Sequence, residues 1–134
     1  MRKILIVDDS VFMRTVLADL LSREYQIVQA DSRETALLKA EEESPDLVLL
    51  DIVMPGGEEE GILVLKALTK THPRVPVVMV TAIGQIAIIE QCTKLGAAGY
   101  IAKPFEEKAV FETVRKLLAA APALASAKEG SPCP

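Results

Sequence analysis

Chemically reactive side chains stand at the ends of four short apolar runs in this 134-residue chain. In chain order the runs end on Asp8-Asp9, Asp51, Thr81 and Lys103. If the runs are neighbouring parallel strands, their carboxyl ends meet at one edge of a sheet and bring these side chains together. Three carboxylates, a hydroxyl and an ammonium at one edge form a site, and this set suits the acceptance of a phosphoryl group best.

The three carboxylates would repel one another, so they favour a bound cation. Magnesium fits best because it prefers hard oxygen ligands, whereas the spacing of a calcium-binding EF-hand loop is absent. Asp51 is predicted to be the nucleophile that keeps the phosphoryl group as an acyl phosphate, and Lys103 the cation that neutralises its charge. Asp9, and more remotely Asp8, would hold the metal. Thr81 would donate its hydroxyl to a phosphoryl oxygen.

Each of these residues taken singly has a simpler explanation. An aspartate at a strand end is often a turn former or a helix cap, and a lone threonine or lysine is more often structural or solvated. Their joint placement, each at the matching end of its own run, favours a site.

The elements that must position these residues follow from the hydrophobic pattern. Segments with helical spacing separate the apolar runs, and this alternation predicts a parallel sheet covered on both faces. The predicted fold class is α/β, a doubly wound five-stranded parallel sheet of order 2-1-3-4-5, flavodoxin-like, with five βα units. In that order the first and third strands are adjacent and the chain reverses direction between them, so topology alone gathers Asp8, Asp9 and Asp51.

Capping residues and helix breakers mark the predicted helix ends. Ser10 is placed to cap the first helix. Asp31 and Glu34 have the spacing of a capping box for the second helix, which Ser44-Pro45 ends. Gly96 is a suitable C-terminal cap for the fourth.

The chain after Leu118 is rich in alanine, proline, serine and glycine and has no period that could bury a face. We expect the last helix to end near Leu118 or to continue as far as Ala121. Residues 1–120 are predicted to form one domain, and residues 121–134 a disordered tail or a truncated linker.

Composition argues against several classes of protein. The net charge of −4 disfavours direct binding of nucleic acid. No apolar run is long enough to cross a bilayer, and Ile4 to Val7 is too short for a signal peptide, so we expect a cytoplasmic protein without membrane contact. The two cysteines, Cys92 and Cys133, lack a paired spacing, and the single histidine, His72, stands in a Thr-His-Pro turn. Neither a zinc site nor a catalytic triad can be built from them.

The chain resembles the receiver domain of two-component response regulators. The matching segments, which extend over nearly the whole chain up to Leu118, are Val7-Asp8-Asp9-Ser10, Asp51-Ile52-Val53-Met54-Pro55, Thr81-Ala82 and Tyr100-Ile101-Ala102-Lys103-Pro104-Phe105. The stretch VDDSVFMR and the residues from Thr81 to Gln85 look most like stand-alone chemotaxis regulators.

The resemblance implies that Asp51 takes a phosphoryl group from a phosphohistidine on a partner histidine kinase. It also implies a Mg²⁺ ion ligated by Asp9, Asp51 and the backbone carbonyl of Val53, with Asp8 reaching the ion through water. The domain would be a signalling switch, and not an enzyme, because it catalyses only its own phosphoryl uptake and loss.

The same resemblance implies a switch pair and an output surface. The Thr81 hydroxyl would turn toward the phosphoryl group while the Tyr100 ring moves inward, and the Lys103-Pro104 peptide bond would be cis. The surface made by the fourth helix, fifth strand and fifth helix would bind a downstream protein or act through a missing effector domain. The domain would be a monomer or an activation-dependent dimer.

Three other classes share parts of this pattern. A haloacid-dehalogenase phosphatase also uses an aspartate nucleophile and magnesium, but it needs a second acid where this chain has Val53. A nucleotide-binding domain would need a glycine-rich phosphate loop, which follows none of the runs. A receiver-like binding module that works without phosphorylation would lack part of the acidic set, which this chain keeps.

One departure from the family pattern lies before the third helix. Gly61 comes six residues after Pro55 instead of four, with Glu58, Glu59 and Glu60 between them. We expect these glutamates to form a solvated acidic loop beside the site. The alternative is that they add negative potential that shapes the access of metal or kinase.

A second departure predicts slow loss of the phosphoryl group. Val53 and Ile83 occupy the positions two residues after Asp51 and Thr81, which are often polar in members that lose phosphate quickly. Neither side chain can orient an attacking water, so we predict slow self-dephosphorylation. The substitution Val53→Asn should shorten the lifetime of the acyl phosphate, followed as its decay after the phosphodonor is removed. A lifetime as long as that of the parent would contradict this prediction.

Overall fold

Five strands alternate with five helices in the computed structural model, which describes residues 2–52, 58–82 and 86–129. The strands are β1 (Lys3–Val7), β2 (Gln26–Ala30), β3 (Leu47–Asp51), β4 (Val77–Ala82) and β5 (Gly99–Lys103). The helices are α1 (Val11–Leu21), α2 (Arg33–Glu43), α3 (Glu58–Thr71), α4 (Ile86–Lys94) and α5 (Glu107–Glu129).

The strands form one parallel sheet of order β2-β1-β3-β4-β5, which confirms the predicted fold class. The register pairs Val7 with Leu50, and Asp51 with Val80. The carboxyl ends of β1, β3 and β4 therefore lie level with one another. This alignment is what allows residues at three strand ends to share one site.

Two apolar clusters hold the sheet between its helices. One joins alternate residues of β1, such as Leu5, to α2, α3 and α4, and the other joins Ile4 and its neighbours to α1 and α5. All five residues of β3 are buried, as expected for a central strand covered on both faces. Cys92 belongs to the first cluster, and burial raises the pKa of its thiol, so it acts as a small apolar core residue.

The cap of α1 is the predicted one, whereas the cap of α2 differs. The Ser10 side chain accepts a hydrogen bond from the Met13 N–H at 3.2 Å. At α2 the predicted pair Asp31 and Glu34 was wrong, because Ser32 caps the helix and exchanges hydrogen bonds with Thr35. Ser32 and Thr35 have the same three-residue spacing one position later, and the Asp31 carboxylate instead accepts from the Thr35 hydroxyl at 3.1 Å.

Residues in the left-handed region end two helices. Gly96 follows α4 with a φ of 108°, as predicted for a glycine cap. Ser44 follows α2 with a φ of 48° and a ψ of 61°. Proline at position 45 explains why the helix stops there, but a serine in this conformation is strained because its Cβ crowds the backbone.

The acidic segment before Gly61 is helical, so the prediction of a loop over Glu58 to Glu60 was wrong. These residues form the first turn of α3. Acidic residues are favourable in the first turn of a helix because the helix dipole places positive charge at that end. The Glu60 carboxylate also lies 3.5 Å from the Arg33 guanidinium at the start of α2, which ties the two helices together.

The last helix is longer than predicted. It was expected to end near Leu118 or Ala121, whereas α5 continues to Glu129. Alanine is the strongest helix former, so the alanine-rich segment favours a helix without an apolar period, although Pro122 within it has no backbone N–H to donate. The domain boundary at residue 120 stays a prediction, and residues 130–134 lie outside the described chain. Among the helices described, none is both long and apolar enough to span a membrane.

Gly61 brings the backbone of α3 close to the end of β3. A Cβ atom there would overlap the carbonyl oxygen of Ile52 and lie 2.8 Å from that of Asp51. Both neighbours are backbone atoms at the end of β3, so they cannot turn aside as a flexible side chain would. The absence of a side chain at position 61 therefore sets how closely α3 packs against Asp51.

Relief of the strain at Ser44 should stabilise the fold. The substitution Ser44→Gly removes a Cβ penalty of about 1–2 kcal/mol and costs about 0.5–1 kcal/mol of unfolded-chain entropy, for a net gain of up to about 1.5 kcal/mol. The matched control is Ser22→Gly at the end of α1, where φ is −63° and glycine brings the entropic cost and loses one exposed hydrogen bond, from the Ser22 hydroxyl to the Asp19 carbonyl. Urea unfolding should move the two midpoints in opposite directions, and a fall for Ser44→Gly would contradict the assignment of strain.

A methyl group at position 61 should destabilise the protein. We expect Gly61→Ala to lower the free energy of unfolding by about 1–3 kcal/mol, because the backbone of β3 or α3 must shift. In Gly99→Ala the new Cβ would lie 3.8 Å from the nearest atom, Leu117 Cδ1, which is an ordinary contact. That control should stay within about 0.5 kcal/mol of the parent. Equal effects of the two substitutions would show that the contact at Gly61 is not tight.

Candidate functional site

The three predicted carboxylates lie together at the carboxyl ends of the central strands. Asp8 follows β1 directly and Asp51 is the last residue of β3. One carboxylate oxygen from each of Asp8, Asp9 and Asp51 lies within 4.8 Å of the others. Asp8 and Asp51 are buried, with 2% and 6% of their surface exposed, whereas Asp9 is open to solvent. The site therefore has a buried floor and one exposed acidic wall.

The backbone of Asp8 is held on both sides. Its N–H donates to the Ala30 carbonyl at 3.1 Å, and its carbonyl accepts from Arg14 Nη1 at 2.6 Å. Its carboxylate oxygen Oδ1 accepts from the Ser10 N–H at 2.9 Å. The remaining oxygen, Oδ2, is buried and has no hydrogen-bond donor within the parts of the chain that the structure describes.

Lys103 brings a positive charge to the same place. Its Nζ atom lies 3.8 Å from Asp8 Oδ2 and 3.6 Å from Asp51 Oδ1. Both distances are too long for good hydrogen bonds, so the ammonium balances charge without satisfying either oxygen fully. The Lys103-Pro104 peptide bond is cis, as the family resemblance implied.

The two residues of the predicted switch pair lie in very different surroundings. Thr81 is buried on β4, one residue beyond Val80, which pairs with Asp51. Tyr100 lies on β5 with 54% of its surface exposed. A buried threonine and an exposed tyrosine thus lie on adjacent strands. Val53, whose carbonyl is a predicted metal ligand, and Ile83 lie outside the described residues.

The donor set fits a hard divalent cation. Mg²⁺ binds carboxylate oxygens and water, and commonly takes only one or two protein carboxylates. Oxygens from three carboxylates lie close enough to share an ion, and the buried Asp8 Oδ2 lacks a hydrogen-bond donor among the described residues. A buried carboxylate oxygen without a donor is costly, and a nearby cation or its bound water would remove that cost.

Sequence reasoning missed the support given by Arg14. Its contact with the Asp8 carbonyl crosses from α1 to the end of β1, and its Nε donates to Gln29 Oε1 on β2 at 3.2 Å. Side chains on a helix lean toward its N-terminus, so a basic residue in the first turn of α1 was the available signal. The motif around Asp8 drew attention to the acids and not to this arginine.

Comparisons with known proteins agree with this arrangement. Residues 4–115 match the family model described as the response regulator receiver domain. The chain is 37% identical over 118 residues to the chemotaxis protein CheY of Bacillus subtilis, covering 87% of this chain and 97% of that protein. It is 38% identical over 117 residues to sporulation initiation phosphotransferase F of the same organism, covering 87% and 93%.

Solved structures show the same fold. The crystal structure of the receiver domain of NtrX from Brucella abortus superimposes with a TM-score of 0.82 at 32% identity. The match covers 87% of this chain and 98% of that one. With the sheet order and the acidic cluster at its switch point, these matches lead to one conclusion: the chain belongs to the response regulator receiver domain family.

Proposed function

We propose that this receiver domain is a signalling switch that accepts a phosphoryl group on Asp51 from a phosphohistidine of a partner histidine kinase. The observation that supports this most directly is the position of Asp51, buried at the end of β3 with the Lys103 ammonium 3.6 Å from its Oδ1. A carboxylate so placed is a nucleophile with a cation beside it. Neither a phosphatase nor a nucleotide-binding site is needed to explain the cluster.

The chemistry is the transfer of a phosphoryl group from a histidine nitrogen to a carboxylate oxygen. A carboxylate oxygen of Asp51 attacks phosphorus, the bond from phosphorus to the histidine nitrogen breaks, and an acyl phosphate forms. Little covalent work falls to the protein, so catalysis rests on positioning and on neutralising the oxygens of the phosphoryl group. Lys103 lies within reach of that charge because it already faces Asp51.

The metal in this proposal is Mg²⁺, held by Asp9, Asp51 and the Val53 carbonyl, with Asp8 reaching it through water. When bound, Mg²⁺ supplies positive charge beside the transferring oxygens. The buried Asp8 Oδ2, which has no hydrogen-bond donor among the described residues, supports this assignment, because a metal-bound water would give it one. The exposure of Asp9 leaves one side of the site open for the kinase.

The output in this proposal runs through Thr81 and Tyr100. The Thr81 hydroxyl turns toward the new phosphoryl group, and the Tyr100 ring moves inward from its exposed position. A groove of about 400 Å³ borders Tyr100 on the surface of β5 and α5, with Phe105, Ala109 and Thr113 along it. Movement of the ring would change one wall of that groove, where a downstream protein or an effector domain would bind. The proposal places these events in the cytoplasm, in a monomer or an activation-dependent dimer.

Phosphoryl uptake can be read as a change in mass. In the presence of Mg²⁺ and a small phosphodonor such as phosphoramidate, the parent should gain the mass of one phosphoryl group, and Asp51→Ala should gain none. The control Asp19→Asn removes an exposed carboxylate of α1 away from the cluster and should leave uptake unchanged. Chelation of the metal should reduce uptake strongly. Absence of a shift in the parent, or a shift that survives Asp51→Ala, would contradict the proposed function.

A further inference from the structure

We propose that Arg14 is a positioning residue that orients the Asp8 carboxylate toward the metal, and that Gln29 holds the Arg14 guanidinium in place. This inference rests on the proposed function, because it concerns the same metal site. It adds two residues on α1 and β2 to a site otherwise built from the ends of β1, β3, β4 and β5. Neither residue touches the phosphoryl group or the metal in this proposal.

The guanidinium joins three elements through two of its donors. Nη1 donates to the Asp8 carbonyl at 2.6 Å, and Nε donates to Gln29 Oε1 at 3.2 Å. A planar guanidinium holds its donors in a fixed fork, so an acceptor on Nε restricts where Nη1 can point. The side chain of Gln29 on β2 therefore helps to fix the direction from which Arg14 on α1 holds Asp8.

The polar atoms of Asp8 leave only one oxygen for a ligand. Its N–H, its carbonyl and Oδ1 are engaged by Ala30, Arg14 and Ser10, and the buried Oδ2 has no donor in the described part of the chain. Because both ends of the Asp8 residue are tied to neighbours, the carboxylate has little freedom to rotate away. Loss of the Arg14 contact frees the Asp8 carbonyl, and with it the backbone that directs the Asp8 carboxylate.

The charge of Arg14 and its positioning role predict opposite effects of its removal on the affinity for Mg²⁺, so the inference can be tested. Arg14 is a cation close to an acidic site, so its removal should tighten the binding of Mg²⁺ if only Coulomb attraction and repulsion mattered. If Arg14 positions Asp8, its removal should weaken binding instead. The sign of the change in affinity therefore separates the two roles.

Calorimetric titration of the full chain with Mg²⁺ alone is the experiment. We expect Arg14→Gln to bind about tenfold more weakly than the parent, as is typical when a partner behind a metal ligand is lost. Arg14→Lys keeps the charge but not the fork, so it should also weaken binding. The matched control Arg23→Gln removes an exposed arginine paired with Glu107 beyond the end of α1. The Arg23→Gln substitution should not weaken the binding of Mg²⁺.

Gln29→Met tests the same idea at an exposed position where folding is not at risk. Loss of its single hydrogen bond to Arg14 should weaken Mg²⁺ binding roughly threefold, and should have no effect once Arg14 is glutamine. In an Asp8→Ala background, Arg14→Gln should not weaken binding further, because the carboxylate that it orients is gone. A general loss of stability would weaken binding in both backgrounds.

Three outcomes would overturn the inference. Mg²⁺ affinity of Arg14→Gln equal to or above that of the parent would show that charge, and not position, governs its effect. A loss of equal size in the Asp8→Ala background would show that Arg14 does not act through Asp8. If the variants gave either of these two results while the parent protein took up phosphoryl and bound Mg²⁺, the inference would fail but the proposed function would stand. A parent that binds no Mg²⁺ would contradict both.

Discussion

Mutual repulsion among carboxylates is the constraint that the rest of the site must meet. Two full charges about 4 Å apart cost about 4 kcal/mol at the effective dielectric typical of protein surfaces. Oxygens of Asp8, Asp9 and Asp51 lie within 4.8 Å of one another, and two of these residues are buried. Such a cluster persists because its backbone belongs to strands whose apolar side chains are packed on both faces. The core thus stabilises a group of charges that would otherwise separate.

Backbone contacts, more than side-chain pairs, hold the floor of the site. The Asp8 peptide is tied to Ala30 and Arg14, and the peptides of Asp51 and Ile52 lie against Gly61. The parts assigned to binding and movement, Asp9 and the ring of Tyr100, are exposed instead. This division would suit the proposed switch, because a fixed floor would let a small local change reach an exposed surface without disturbing the charges themselves.

The sheet order and the acidic cluster could be predicted because they follow from apolar periodicity and from the rules of parallel sheets. Local choices between near-equal alternatives could not. Ser32 and Asp31 both begin a three-residue capping spacing, and the start of α3 at Glu58 depends on the helix dipole and on an ion pair with another helix. The extension of α5 to Glu129 reflects the helix propensity of alanine. This propensity produces no apolar period in the sequence, so hydrophobic spacing could not predict the extension. The contacts of Arg14 join α1 to the end of β1 and to β2, and a basic residue in the first turn of α1 was the one sign of them in the sequence.

The contact at Gly61 also limits where the connection between β3 and α3 can change in length. Because α3 meets the Asp51 and Ile52 carbonyls at a residue without a side chain, sliding the helix along the sheet would break this contact. We expect an inserted residue to be accommodated on the N-terminal side of Gly61, where this chain carries three glutamates. Such a change in length would leave the contact of Gly61 with the end of β3 in place.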